Sequence, residues 1–141
     1  MIDAMISVKP KYVKKMLIGE KNAELRTRKI NLPLGSRIWV YSTLPVGAVE
    51  VFAILSKVVT GTPVEIWKKF SGNIAISKNE FDNYCKGYEQ VSVVLFSTVE
   101  TLKKKNSLDA LRKIKKGFQP PQFFMKLTNN DPVKKFLTSQ I

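Results

Sequence analysis

The chain has 141 residues, of which 44% are apolar and 25% charged. This composition excludes a disordered chain, and we expect residues 1–141 to form a single domain. No apolar run reaches the length of a membrane helix, and the first residues lack the basic leader of a signal peptide, so we expect a cytoplasmic protein without a membrane partner. A single cysteine, Cys85, excludes an internal disulfide, and the lack of histidine excludes the usual zinc sites and the usual general base. We therefore expect no metal and no cofactor.

Positive charge is concentrated at the two ends of the chain, whose net charge is +13. Residues 1–30 carry eight basic and three acidic side chains, residues 31–100 carry six of each, and residues 101–141 carry ten basic and two acidic. A patch formed by the two basic ends would attract polyanions and release counterions when they bind. The charge therefore favours nucleic acid as a partner. The alternative is a lysine-rich surface that serves only solubility.

The first part of the chain predicts a strand, a helix and a second strand. Residues 4–9 form the first strand, which ends on Lys9. A proline can occupy the first helical turn, so the helix covers residues 10–18. It ends there because Gly19 follows. The second strand covers residues 23–28.

The second strand carries the first candidate site residues. Its two-residue period puts Glu24, Arg26 and Arg28 on one face and three less polar residues on the other. Lys21 stands just before them. A carboxylate between two guanidinium groups is too polar to bury unless its members satisfy one another, so this face should line a wet cleft. The alternative is an exposed strand face with one weak salt bridge.

The pattern Gly-x-Lys-x-x-Glu-x-Arg, formed by Gly19, Lys21, Glu24 and Arg26 after a first helix, resembles the signature of the ASCH domain, a member of the PUA-like superfamily. The resemblance implies an α+β, mainly β fold, a small mixed β-barrel of five to six strands with peripheral helices. It also implies RNA, another nucleic acid or a modified nucleoside as the ligand.

The resemblance leaves two kinds of activity open. Some proteins similar to ASCH domains hydrolyse acylated cytidine, and their motif lysine works with a threonine three residues later and a distant glutamate. Glu24 replaces that threonine in this chain. Glu80 could be the distant glutamate, although a capping box with Ser77 already explains it. Other relatives bind or cleave RNA.

Each residue of the motif has chemistry that suits a nucleotide. Arg26 can hold a phosphate or a base edge through its fork of donors. Glu24 can accept a hydrogen bond from the amine of a base. Lys21 can contact a phosphate or, in an enzyme, act with Glu24 as a catalytic group. We add Lys9 and Arg28 to the candidate ligand-binding residues.

The third strand, residues 37–43, offers aromatic side chains on one face. Arg37, Trp39 and Tyr41 share this face, and an arrangement of basic and aromatic side chains can stack a base beside a phosphate contact. Because large aromatic residues usually belong to the core, we assign Trp39 to the core. Tyr41 and Ser42, near the strand end, are predicted to line the cleft. A long central strand follows over residues 48–59.

The second half of the chain predicts helices, one apolar strand and a basic segment. Capping boxes begin helices at Thr62 and Ser77, residues 90–98 form a strand, and residues 108–116 and the segment after Asp131 form further helices. Between them, a predicted charged turn carries three lysines that should contact phosphates without sequence choice. These are Lys103, Lys104 and Lys105. A solvated face is the alternative.

A proline-rich segment, Gln119-Pro120-Pro121-Gln122, precedes two phenylalanines. The prolines fix an extended backbone, and the amide of Gln122 can read a base edge with a paired donor and acceptor. Similar segments occur near the end of many stand-alone ASCH-like proteins, so they extend the resemblance over most of the chain. The alternative is a rigid connector that closes the barrel.

Together these patterns predict a nucleic-acid-binding domain whose cleft holds one nucleotide, which could carry a modified base. The cleft would be formed by Lys21, Glu24, Arg26, Tyr41 and Gln122, with the basic ends on the phosphate backbone. The first alternative is an enzyme on the same fold that uses Lys21 and Glu24 to hydrolyse a nucleoside amide or cleave RNA. The second is a protein-binding adaptor in transcription.

Overall fold

A computed structural model describes residues 2–141, which form six strands and five helices. In chain order they are β1 (Asp3–Val8), α1 (Pro10–Leu17), β2 (Ala23–Arg26), β3 (Arg37–Ser42), β4 (Ala48–Gly61), α2 (Pro63–Ile74), α3 (Lys78–Cys85), β5 (Val91–Ser107), α4 (Leu108–Ile114), β6 (Phe124–Leu127) and α5 (Pro132–Thr138). Among these residues, no helix has the length and apolar character needed to cross a membrane.

The strands form one mixed sheet in the order β2-β5-β4-β3-β1-β6. β1 pairs with β3 in parallel, and the other neighbours are antiparallel. The sheet curls into a half-barrel. Residues at the end of β2 and the start of β6 line one cavity, so the two edge strands face each other across an open seam. The predicted α+β architecture, a mixed sheet of five to six strands with peripheral helices, is confirmed.

The inner face of the half-barrel is apolar. Alternate residues of β1 and β3, Ile6 with Val8 and Ile38 with Val40, pack there with residues of β4 and β5. Helix α1 adds Val13 and Met16 to this cluster, because its apolar stripe recurs at helical spacing.

The outer face is covered by two groups of helices. Helices α4 and α5 pack on the β3 side, where Trp39 is fully buried, as predicted. Helices α2 and α3 pack against β2 and β5, and Cys85 lies in this second outer cluster. Burial raises the pKa of the Cys85 thiol.

Two predicted boundaries are wrong. β2 ends at Arg26, before the predicted Arg28. β5 continues to Ser107, so Lys103, Lys104 and Lys105 lie in a strand and not in a turn. The reason is the length of β4, which keeps pairing with β5 as far as Ser107.

The three lysines of β5 nevertheless lie in an irregular part of the ladder. Val51 pairs with Thr101 and Val49 pairs with Asn106, so residues 102–105 of β5 face Glu50 alone on β4. Such a bulge leaves residues without a ladder partner and turns side chains outward. All three lysines are exposed there.

Candidate functional site

The two faces of β2 have different surroundings. Ala23 and Leu25 pack in the outer cluster with α2 and α3. Glu24 and Arg26 alternate with them, and they line cavities at the rim of the half-barrel. For Ala23 to Arg26 the predicted alternation is confirmed, because the pleat of a strand sends successive side chains to opposite faces. Arg28 lies beyond the strand, so the alternation does not extend to it.

Lys21 is buried, with 1% of its surface exposed. Its Nζ donates a hydrogen bond of 2.6 Å to the carbonyl of Ile74 and lies 2.9 Å from Glu24 Oε1. The ring of Tyr12 lies beneath the ammonium, with 5.3 Å between Nζ and the ring centroid. A carboxylate, the last carbonyl of α2 and an aromatic face together satisfy this buried charge. The ammonium and the carboxylate are thus held at fixed positions.

Lys21 and Glu24 line a cavity of about 490 Å³, which we call the lysine cavity. It lies where the end of β1 meets α1, β2 and α3. Its lining consists of Ser7, Val8, Lys9, Tyr12, Lys21, Glu24, Leu25, Ile74, Ile76, Glu80, Asn83 and Tyr84. Lys9 is exposed and brings a further positive charge to the cavity.

Glu80 also belongs to the lysine cavity, and its predicted role as a capping residue is only half correct. Ser77 Oγ accepts a hydrogen bond of 3.1 Å from the Glu80 N–H. The Glu80 carboxylate, however, accepts a hydrogen bond from the Tyr12 phenol and lies 3.5 Å from Lys11 Nζ. Glu80 therefore presents its carboxylate to the cavity and not to the start of its helix.

Arg26 is buried as well, with 8% exposed. Its Nη2 lies 3.5 Å from Glu24 Oε2, too far for a strong hydrogen bond. Within residues 2–141, its Nε and Nη2 have no hydrogen-bond partner. Buried polar groups are nearly always hydrogen-bonded, so this guanidinium carries donors that the fold leaves unsatisfied, and both nitrogens are covered in this conformation.

A second cavity of about 430 Å³, which we call the arginine cavity, contains Arg26 and lies at the seam. Its lining consists of Arg26, Thr27, Arg28, Lys29, Ile30, Tyr84, Tyr88, Phe123 and Phe124. Tyr88 is 49% exposed and Phe123 57% exposed. Tyr84 lines both cavities, so the two are neighbours.

A curated relative shows the family of the chain. The ASCH domain-containing ribonuclease of Zymomonas mobilis is 35% identical over 141 residues, which are 99% of this chain and 94% of that protein. The chain belongs to the ASCH family. No family model matches the sequence.

Solved structures agree with the assignment of this ASCH domain. The crystal structure of ASCH from Zymomonas mobilis is 32% identical and has a TM-score of 0.87, covering 96% of this chain and 94% of that one. Human THYN1, crystallised in complex with DNA that contains 5-methylcytosine, is only 10% identical, with a TM-score of 0.56 over 99% of this chain and 98% of that one. At that identity the likeness shows a shared fold.

Two predicted cleft residues of this ASCH domain lie elsewhere. Tyr41 is 3% exposed and packs with Trp39 in the outer cluster beneath α4 and α5. Ser42 is buried between Val8 of β1 and Ala48 of β4. The lining of neither cavity includes them. The cause is that α4 and α5 cover the face of β3 that carries Trp39 and Tyr41.

The remaining candidates lie around the two cavities or away from them. Arg28 is exposed and lines the arginine cavity. Gln122 is exposed and lies between Pro121, whose carbonyl accepts a hydrogen bond from Ser7 Oγ, and Phe123 of the arginine cavity. The lysines of the β5 bulge line neither cavity.

Sequence reasoning missed Tyr12 as a residue of the lysine cavity. A buried phenol usually finds a hydrogen-bond partner, and that rule could have drawn attention to it. Tyr84 and Tyr88 were missed too, because nothing in their spacing links them to the basic residues of β2. Within the described residues, no three His, Cys, Asp or Glu side chains lie close enough to hold a metal ion.

Proposed function

We propose that this ASCH domain binds RNA and that the lysine cavity receives one nucleotide of the strand. The proposal is carried by the fixed arrangement of Lys21, Glu24 and Tyr12 around a cavity of about 490 Å³. Small ligands occupy cavities of roughly 300 to 1,000 Å³, and a nucleotide is a ligand of that class.

The side chains of the lysine cavity suit a base and its phosphate. Lys21 Nζ is engaged by Ile74, Glu24 and the Tyr12 ring, so it acts on a bound phosphate through its positive charge. The Glu24 carboxylate can accept from an exocyclic amine. Tyr84 adds an aromatic surface against which a base can stack.

The net charge and the similarity to a relative named a ribonuclease support nucleic acid as the partner. The net charge is +13, and the bulge of β5 exposes three lysines in a row. Such charges contact the phosphate backbone and give affinity without sequence choice. The Zymomonas mobilis relative is named a ribonuclease, which favours RNA over DNA as the class of ligand.

The test is fluorescence anisotropy with labelled RNA, DNA of the same sequence and an RNA pool that carries modified bases. We expect RNA to bind with an affinity that falls as salt rises. Glu24→Gln should reduce the difference in affinity between bases, whereas Glu100→Gln, an exposed residue of β5, should not. If RNA does not bind, or if binding is unaffected by salt, the proposal is wrong.

The second candidate function is RNA cleavage in the lysine cavity. The observation that favours it is the Tyr12–Glu80 hydrogen bond, which places an acid and a base side by side next to Lys21 and Glu24. The relative named a ribonuclease is 35% identical. Glutamate, lysine and tyrosine can all transfer protons in catalysis, so the lack of histidine is no obstacle.

In this mechanism the 2′-oxygen of the bound nucleotide attacks the adjacent phosphorus while Glu80 accepts the 2′-hydroxyl proton. The bond from phosphorus to the 5′-oxygen then breaks, and Tyr12 gives its proton to that oxygen. The proton on Glu80 returns to Tyr12 through their hydrogen bond. Lys21 contributes a positive charge beside the phosphate, whose negative charge grows in the transition state.

Cleavage by this route leaves a 2′,3′-cyclic phosphate, which mass spectrometry detects. RNA with a 2′-deoxy group at the cleaved position should stay intact, and Glu80→Gln should abolish the product while Glu100→Gln keeps it. A product from the 2′-deoxy RNA would rule the mechanism out. Acylated cytidine in the same pool tests the amide hydrolase, whose product would be free cytidine.

A further inference from the structure

We infer that the arginine cavity binds a second nucleotide of the same RNA strand, so the smallest tight ligand is a dinucleotide whose linking phosphate contacts Arg26. This inference rests on the proposed function and deepens it. It predicts that the domain recognises two successive nucleotides and not an isolated nucleoside.

The first observation is the state of Arg26. The side chain is buried, yet its Nε and Nη2 have no hydrogen-bond partner within residues 2–141. The nearby Glu24 carboxylate is engaged by Lys21 at 2.9 Å and lies 3.5 Å from Arg26 Nη2. Nε and a terminal nitrogen form the edge of a guanidinium that binds two oxygens of one phosphate. A phosphate is an acceptor that fits these donors, and it reaches them when the side chain turns toward the cavity that it lines, since both nitrogens are covered in this structure.

The second observation is the aromatic surface around that guanidinium. Tyr88 and Phe123 are each about half exposed, whereas most large apolar side chains of the domain are buried. Tyr88 lies in the turn after α3 and Phe123 immediately precedes β6, and both line the arginine cavity. Aromatic side chains beside a positive charge are the platform on which single-stranded bases stack.

The charge around the arginine cavity favours a polyanion. Arg28 and Lys29 are exposed on its rim, and none of the acidic side chains among residues 2–141 is part of its lining. An apolar lipid tail would use the aromatic surface but would leave the donors of Arg26 unused. RNA uses both.

The two cavities are placed for neighbouring nucleotides. Glu24 and Arg26 stand two residues apart on one face of β2, a separation of roughly 7 Å along a strand. Tyr84 lines both cavities. One strand can thus put a base in the lysine cavity, its phosphate on Arg26 and the next base between Tyr88 and Phe123.

The experiment is calorimetric titration of the full chain with uridine 3′-phosphate, the dinucleotide UpU, and UpU with an uncharged methylphosphonate link, with the adenine series in parallel. We expect the dinucleotide to bind about tenfold or more tightly than the mononucleotide. In the parent protein, the uncharged link should remove much of the gain in affinity of the dinucleotide over the mononucleotide. In Arg26→Gln it should remove little, because the variant lacks the cation that contacts the linking phosphate. Because the methylphosphonate ligand removes the charge of the linking phosphate, titrating it into the parent protein tests the contact with Arg26 even if the variant is unstable.

The stacking of the second base on Tyr88 and Phe123 is tested with Tyr88→Ala and Phe123→Ala, both at exposed positions. Each should weaken dinucleotide binding by about five- to 100-fold, as expected for a lost base stack, and leave mononucleotide binding unchanged. Leu34→Ala, an exposed position in a loop, is the control. If RNA binds but these variants keep the parent's ratio of dinucleotide to mononucleotide affinity, the inference is wrong and the proposed function stands. If neither nucleotide nor RNA binds, both fail.

Discussion

The phenol of Tyr12 donates a hydrogen bond to the carboxylate of Glu80, 68 residues further along the chain. The contact joins α1 to α3 across the lysine cavity, so it helps to set the shape of that cavity. It also gives Glu80 a contact that its position at the start of a helix does not require.

We predict that Tyr12→Phe lowers the rate of RNA cleavage by about 100-fold or more, the usual size of a general acid contribution. The reason is that the departing 5′-oxygen loses its proton donor. Uridine 3′-(4-nitrophenyl phosphate), whose leaving group needs no proton, should be cleaved by the variant at close to the parent rate. Steady-state rates for both substrates measure the difference. Equal losses for both would contradict a role as acid.

We predict a large coupling between Lys21 and Glu24 in the free energy of unfolding. Lys21→Met should destabilise the domain by about 3–5 kcal/mol, since it leaves a mostly buried carboxylate without its closer partner and with only Arg26 at 3.5 Å. The double variant Lys21→Met with Glu24→Leu should lose less than the sum of the two single losses. Urea unfolding followed by circular dichroism measures all four proteins.

The surface pair Lys78 and Asp82 on α3 is the matched control for that cycle. Both side chains are more than half exposed, and exposed pairs contribute at most about 1 kcal/mol. A coupling between Lys21 and Glu24 no larger than that of the control would mean that the buried pair is not a fixed feature of the site.

We predict that replacing Lys103, Lys104 and Lys105 with glutamine weakens binding of all RNA sequences alike. The slope of log Kd against log salt concentration should fall by about 1 to 2, since each phosphate contact on a single strand contributes about 0.7. The control replaces three other exposed lysines, Lys57, Lys68 and Lys86, and removes the same charge. An equal change in slope for both triple variants would show a general charge effect and no role for the bulge.

We predict that Thr62→Ala destabilises the domain by about 1 kcal/mol at pH 7, because α2 loses its N-cap hydroxyl. The same hydroxyl donates to Glu65 and holds the pKa of that carboxyl below its ordinary value of 4.5. A lowered pKa in the folded state stabilises the fold above pH 4.5, and this contribution disappears as the pH falls through the lower value. The difference between parent and variant should therefore shrink on acidification, as urea unfolding at pH 7 and pH 3 can measure. A constant difference would contradict the linkage.

The sequence was sufficient to predict the face of β2 that carries the site. The period of a strand is set by its backbone, so Glu24 and Arg26 had to share a face, and the presence of Ala23 and Leu25 opposite them indicated which face was polar. The same reasoning failed for Tyr41. Both faces of β3 are buried, so alternation alone could not say which end of the strand was near a cavity.

Two other differences have local causes. The pattern from Ser77 to Glu80 is that of a capping box, but the glutamate side chain can also turn away, and Tyr12 offers it a better-placed donor. A run of three lysines is typical of a turn. Here the long ladder between β4 and β5 holds it in a strand, and the bulge exposes it. In both cases the deciding partner lies far away in the sequence.

The seam between β2 and β6 has a consequence for the topology of the substrates. An RNA strand could enter a closed protein barrel only by threading a free end through the central hole. The open seam at the edge of this sheet can instead be entered from the side by an internal part of the strand. We therefore expect a covalently circular single-stranded RNA to bind as tightly as its linear form, and to be opened at internal positions if the domain cleaves RNA. Comparing circular and linear forms of one sequence would reveal whether the domain needs an end at all.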